Sequence, residues 1–96
     1  TDDMIVSGGE NVYCSEVEQA IALISGVLDV VVVPVVDETF GQRLHAFVVS
    51  NNQDLKGEFK RQLPRHFVPK GVTYLTELPI TAIGKIDRKL LRTMIP

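Results

Sequence analysis

The run Val27-Leu-Asp-Val-Val-Val-Val-Pro-Val-Val36 constrains the fold more than any other stretch of this chain. Branching at Cβ stiffens the side chain and suits extended backbone. Four consecutive valines do not alternate with polar residues, so the strand they form is expected to be buried on both faces. Pro34 lacks an amide donor, which assigns it to an edge, a bulge or the strand's end. Asp37 to Gln42 is polar and contains Gly41, the composition of a hairpin connection. Leu44 to Ser50 supplies the return strand, which Asn51 and Asn52 end.

The flanking sequence provides the covering elements. Ser15-Glu-Val-Glu18 has the form of a capping box, and Val17, Ala20, Ile21 and Ile24 follow at helical spacing up to Gly26. Asp54 is placed to cap a second helix with Leu55, Phe59 and Leu63 on one face, and Pro64 marks its end. Residues 65–71 form a loop that holds Arg65, His66, Phe67 and Lys70. Val72 to Leu75 is a third strand. Residues 4–7 form a short strand before a turn at Gly8-Gly9. Asp87 opens a last helix with Leu90, Leu91, Met94 and Ile95 facing inward. This order predicts a single α+β domain over residues 1–96, of two layers. It has a small three-stranded sheet, flanking helices and a short N-terminal hairpin.

Composition narrows the function classes. Hydrophobic residues make up 45% of the 96, which argues against disorder. No apolar run reaches membrane-spanning length and no signal peptide is expected at the start. The single cysteine, Cys14, excludes an internal disulfide framework and fits a reducing, cytoplasmic setting. It has no basic neighbour in sequence and reads as structural. Residues 1–40 carry eight acids and no Lys or Arg, while residues 41–96 carry ten Lys or Arg and four acids. The halves, −8 and +6, sum to the net −2. Either one part faces an anionic ligand or the halves attract each other within one fold. No basic stripe with interleaved aromatics is visible, so nucleic acid is not an expected partner. His45 and His66 show no metal-ligand spacing with the acids or Cys14, so no metal site is expected.

One stretch carries chemistry: Pro79-Ile-Thr-Ala-Ile-Gly84-Lys85-Ile-Asp87-Arg88. Gly84 permits a left-handed backbone step, and Lys85 follows it ahead of the Asp87-capped helix. An ammonium presented there suits a phosphate. An exposed lysine before a capped helix is the commoner meaning of such residues. The Walker pattern is absent, since the first glycine and the Ser/Thr after lysine are missing.

Pro-x4-Gly-Lys-x2-Arg resembles the last core motif of the adenylate-forming enzymes, which include acyl-CoA synthetases, luciferase and the adenylation domains of peptide synthetases. Asp2-Asp3-Met4-Ile5-Val6-Ser7-Gly8-Gly9-Glu10-Asn11-Val12-Tyr13, followed by Glu16-Val17-Glu18, is similar to that family's hinge motif and glycine loop. Asp37-Glu-Thr-Phe40-Gly41-Gln42 resembles its turn between two strands. The three pieces stand in family order across nearly the whole chain.

The resemblance implies the small C-terminal lid domain of an acyl-CoA synthetase, a ligase of the kind found in fatty acid metabolism. Thr1 stands directly before the hinge motif, so the chain is expected to be a piece of a larger protein. Lys85 would enter the active site when a carboxylic acid attacks the α-phosphate of ATP, with Gly84 and Arg88 in support. Gly8 and Gly9 would line the tunnel for the pantetheine thiol of CoA in the second step. Phe40 would stack on the adenine of CoA, and Lys70 would meet its phosphates. Asp2 would be the hinge of the rotation between the steps. ATP, CoA and Mg would be held mainly by an N-terminal adenylation domain, the domain's expected partner. The isolated chain would be inactive. Two rivals are an adenylation domain that loads a carrier protein and a stand-alone α+β binding module.

Overall fold

A computed structural model describes residues 3–39 and 41–96; Asp2 and Phe40, two of the expected site residues, lie outside them. Strands β1 (Met4–Ser7) and β2 (Glu10–Tyr13) form an antiparallel hairpin, with Ser7 opposite Glu10. Only Gly8 and Gly9 separate them, at φ +58° and +84°. Two successive positive φ values make this a tight hairpin turn, as that glycine pair predicts. Helix α1 (Cys14–Ala22) follows directly.

The main sheet has the order β3 (Val27–Asp37), β4 (Gly41–Ser50), β5 (Gly71–Leu75). β3 and β4 pair antiparallel, and β5 joins β4 in parallel. Helix α2 (Lys56–Gln62) and a 3₁₀ turn (Arg65–Phe67) make the crossover between β4 and β5. Pro34 sits on β3, an edge strand, where its missing donor is tolerated. The chain ends in helix α3 (Arg88–Thr93).

The four consecutive valines, Val30 to Val33, are buried on both sides, as their composition requires. Val30 and Val32 join Ala46 and Val48 on one face, under α1, α2 and the hairpin residues Ile5 and Val12. Val31 and Val33 join Phe47 on the other face, under Leu78 and Leu91. Apolar burial of this kind is worth roughly 1.5–3 kcal/mol for each large side chain, so both clusters hold the sheet.

Three local expectations are corrected. Ser15 is not the N-cap of α1. The N-cap is Tyr13, two residues earlier, and the Cys14 N–H donates to the Asp3 carbonyl. Asp54 does not cap α2; the Tyr74 hydroxyl accepts from the Leu55 N–H at 2.9 Å, so a tertiary contact starts that helix. Asp87 does cap α3, accepting from the Leu90 N–H at 3.0 Å. That helix is too short to bury a full face. Leu91 is buried and Ile95 packs against its cluster, but Leu90 and Met94 are 42% and 40% exposed.

The charge asymmetry also gains a physical account. Three of the four ion pairs among the described residues join the acidic half to the basic half: Asp37 with Arg43, Glu18 with Arg88, and Asp3 with Arg92. Among the described residues, no helix is long and apolar enough to cross a membrane.

Candidate functional site

Lys85 closes a short loop, opposite Thr81. The Thr81 N–H donates to the Lys85 carbonyl at 2.7 Å, and the Gly84 N–H donates to the Thr81 carbonyl at 2.9 Å. The Lys85 N–H donates to Thr81 Oγ1 at 3.3 Å. Gly84 has φ +84°, which completes a three-residue hairpin loop with a left-handed last position. Ile80 and Ile86 pair across the stem, and the Asp87 N–H donates to the Pro79 carbonyl. The backbone around Lys85 is thus fixed while the residue itself is exposed. Ile83 beside it is 79% exposed and Ile80 is 63% exposed. Through Leu78, Ile86 and Leu91 the loop is anchored to the Phe47 face of the sheet.

The glycine turn belongs to a different part of the domain. Gly8 lines a cleft of about 520 Å³ between β1, the start of β4 and the 3₁₀ turn. Its floor includes Ile5 and Leu44, both part of the opposite cluster, under α1 and α2. Lys70 lines it too, tied in place by its N–H donating to the Leu44 carbonyl at 3.0 Å. Arg43, Arg65 and His66 complete a mainly basic wall, with Glu10 as its acid. Gly9 is not among the lining residues. Neither glycine is crowded, since a Cβ at either position would meet nothing within 4 Å. Within the domain, their positive φ is what requires glycine.

Arg43 was not singled out from the sequence, because a basic residue on a strand carries no local signal. Its guanidinium pairs with Asp37 at 3.3 Å across the hairpin stem. The Arg88 side chain lies 3.6 Å from Glu18. Cys14 is buried at the start of α1. No group of His, Cys, Asp and Glu among the described residues is arranged to hold a metal.

His45 lies on β4. It is 3% exposed; its Nε2 shares a hydrogen bond with Thr73 Oγ1 at 2.7 Å, and its buried Nδ1 has no partner. The ring lies over Gly71, where a Cβ would crowd Nδ1 and come within 2.8 Å of Cε1. Burial holds the imidazole below its ordinary value of 6.5, and the charges of Arg43 and Lys56 add to this. The unfolded chain therefore takes up a proton at higher pH than the folded one. Stability is expected to fall as pH drops below 6.5, by at most about 1.4 kcal/mol per pH unit. Thermal melts from pH ~7.5 to ~5 measure this slope, and His45→Gln should flatten it. An unchanged slope in that variant would remove His45 from the account.

Comparison with known proteins agrees with this architecture. Residues 16–85 match the family described as AMP-binding enzyme C-terminal domain. The chain is 36% identical over 96 residues to a putative acyl-CoA synthetase, YngI, of Bacillus subtilis, covering 94% of this chain and 18% of that protein. It is 35% identical over 94 residues to surfactin synthase subunit 3 of the same organism, covering 94% of this chain and 7% of that protein. Among solved structures, ATP-bound MatB from Rhodopseudomonas palustris superposes with a TM-score of 0.78 at 29% identity, covering 95% of this chain and 19% of that one. The chain thus spans a fifth or less of the length of these relatives. With that family matched over most of its length, and with the same fold, the chain belongs to the AMP-binding C-terminal domains of the adenylate-forming enzymes.

Proposed function

We propose that this chain is the C-terminal lid domain of an ATP-dependent acyl-CoA synthetase and serves its two half-reactions with two different surfaces. In the first, a carboxylic acid attacks the α-phosphate of ATP, the bond to pyrophosphate breaks, and acyl-adenylate forms. Lys85 stabilises the negative charge that builds on the phosphoryl oxygens and the leaving group. In the second, the CoA thiol attacks the acyl carbonyl and AMP leaves. The Gly8 cleft admits the pantetheine arm, and Arg43, Arg65 and Lys70 offer cations to the CoA phosphates. A large N-terminal domain of the same protein binds Mg-ATP and most of the acid, and rotation about Asp2 exchanges the two surfaces.

The observation that carries this reading is the separation of the two elements. The lysine loop rests on the Phe47 face of the sheet, and the cleft rests on the Ile5–Leu44 cluster of the other. One rigid domain with sites on opposite faces can use them only in turn. The likeness to surfactin synthase supports a second reading, in which the thiol belongs to a carrier protein. Both are tested on the full-length protein by acid-dependent ATP–pyrophosphate exchange, followed by thiol acceptance from CoA or from a pantetheinylated carrier. Exchange with thioester formation on CoA is expected. Exchange with transfer only to the carrier would select the second reading, and no exchange with any acid would defeat both.

A further inference from the structure

Glu18 stands at the open edge of the sheet. Its Oε2 accepts from the Val32 N–H at 2.8 Å. That amide lies on edge strand β3, which has a neighbour on one side only. The same oxygen lies 3.6 Å from Arg88 Nη1. Glu18 belongs to α1, which covers one face, and Arg88 opens α3, which covers the other. The carboxylate therefore staples the two layers across the sheet edge. One turn further along α3, Arg92 Nη2 donates to Asp3 Oδ2 at 3.1 Å, which ties the helix to the N-terminal segment.

These contacts bear on Lys85 because of how its loop is built. The loop is closed by its own hydrogen bonds, and Asp87, which follows it, caps α3. A helix of six residues has little stability of its own. Apolar contacts through Leu78 and Leu91 hold this segment down but are not directional. The charge pairs, in contrast, depend on where the two charged groups stand and so bear on its rotation.

We propose that Glu18 and Arg88 are positioning residues for Lys85, setting the direction in which its ammonium enters the adenylation site. This rests on the role given to Lys85 above. Glu18→Gln keeps an acceptor for the Val32 amide and removes only the charge. In the full-length protein, Glu18→Gln and Arg88→Gln are each expected to lower kcat for adenylate formation about tenfold, with little change in KM for ATP. Conversion of supplied acyl-adenylate to thioester should stay within about twofold of wild type. The double variant should be no slower than either single variant, because both remove one contact, and Arg88→Lys should recover most of the rate. Multiplying defects, equal slowing of both half-reactions, or no slowing would overturn the proposal. If Glu18→Gln does not fold, Arg88→Gln decides the same question with Glu18 left on the Val32 amide. Lys85→Ala run in parallel separates the two ideas. Unimpaired adenylate formation in that variant defeats the role of Lys85 itself, whereas a severe defect there with normal Glu18 and Arg88 variants defeats only the staple.

Discussion

Lys85→Ala is expected to slow acyl-adenylate formation by about 100- to 1,000-fold in the full-length protein, the scale of losing one positioned group that stabilises developing charge. In this domain alone the ammonium is exposed, and in water its attraction to a phosphate is weak. On the proposed function its strength would come from being carried into a drier site in the full-length protein. Once pyrophosphate has left, the charge it stabilised is gone. Conversion of supplied acyl-adenylate to thioester should therefore proceed near the wild-type rate. Paired half-reaction assays check this, and equal loss of both steps in a folded variant would contradict it. Lys85→Arg keeps the charge but changes its shape from a compact ammonium to a planar fork, so only partial recovery is expected.

The opposite defect is expected at the glycine turn. Gly8→Leu puts a branched side chain into the cleft that would receive the pantetheine arm, and should slow the thiol step on the order of 100-fold. Adenylate formation should be spared. Backbone strain must be separated from blockage, because a left-handed φ costs an ordinary L residue roughly 1–2 kcal/mol. Gly9→Leu provides that control. Gly9 has φ +84° yet does not line the cleft, so it carries the strain without the obstruction. The two variants should melt at similar temperatures but differ in thioester formation. Equal loss of the thiol step in both would assign the effect to the turn's backbone.

Much of the fold follows from neighbouring residues alone. The valine run of β3, the Gly8-Gly9 turn and the Asp87 cap depend on Cβ branching, permitted φ and short-range hydrogen bonds. These act within a few residues, so the element order and the two-sided burial of the sheet could be read directly. The family motifs likewise lie in contiguous stretches, and they marked Lys85, Gly8 and Gly9.

Contacts distant in sequence were decided by the tertiary structure. The Tyr74 hydroxyl, not Asp54, starts α2, because β5 delivers that ring nineteen positions away in sequence. Glu18, which local spacing assigned to a capping box, instead meets the Val32 amide and Arg88. Arg43 joins Arg65 and Lys70 in one cleft because β4 and β5 run parallel, which brings the Leu44 carbonyl to the Lys70 amide. A carboxylate or guanidinium has the same local chemistry wherever it stands. Its partner is set by which strand ends and sheet edges the fold brings within about 3–4 Å of it, and sequence spacing does not encode that distance.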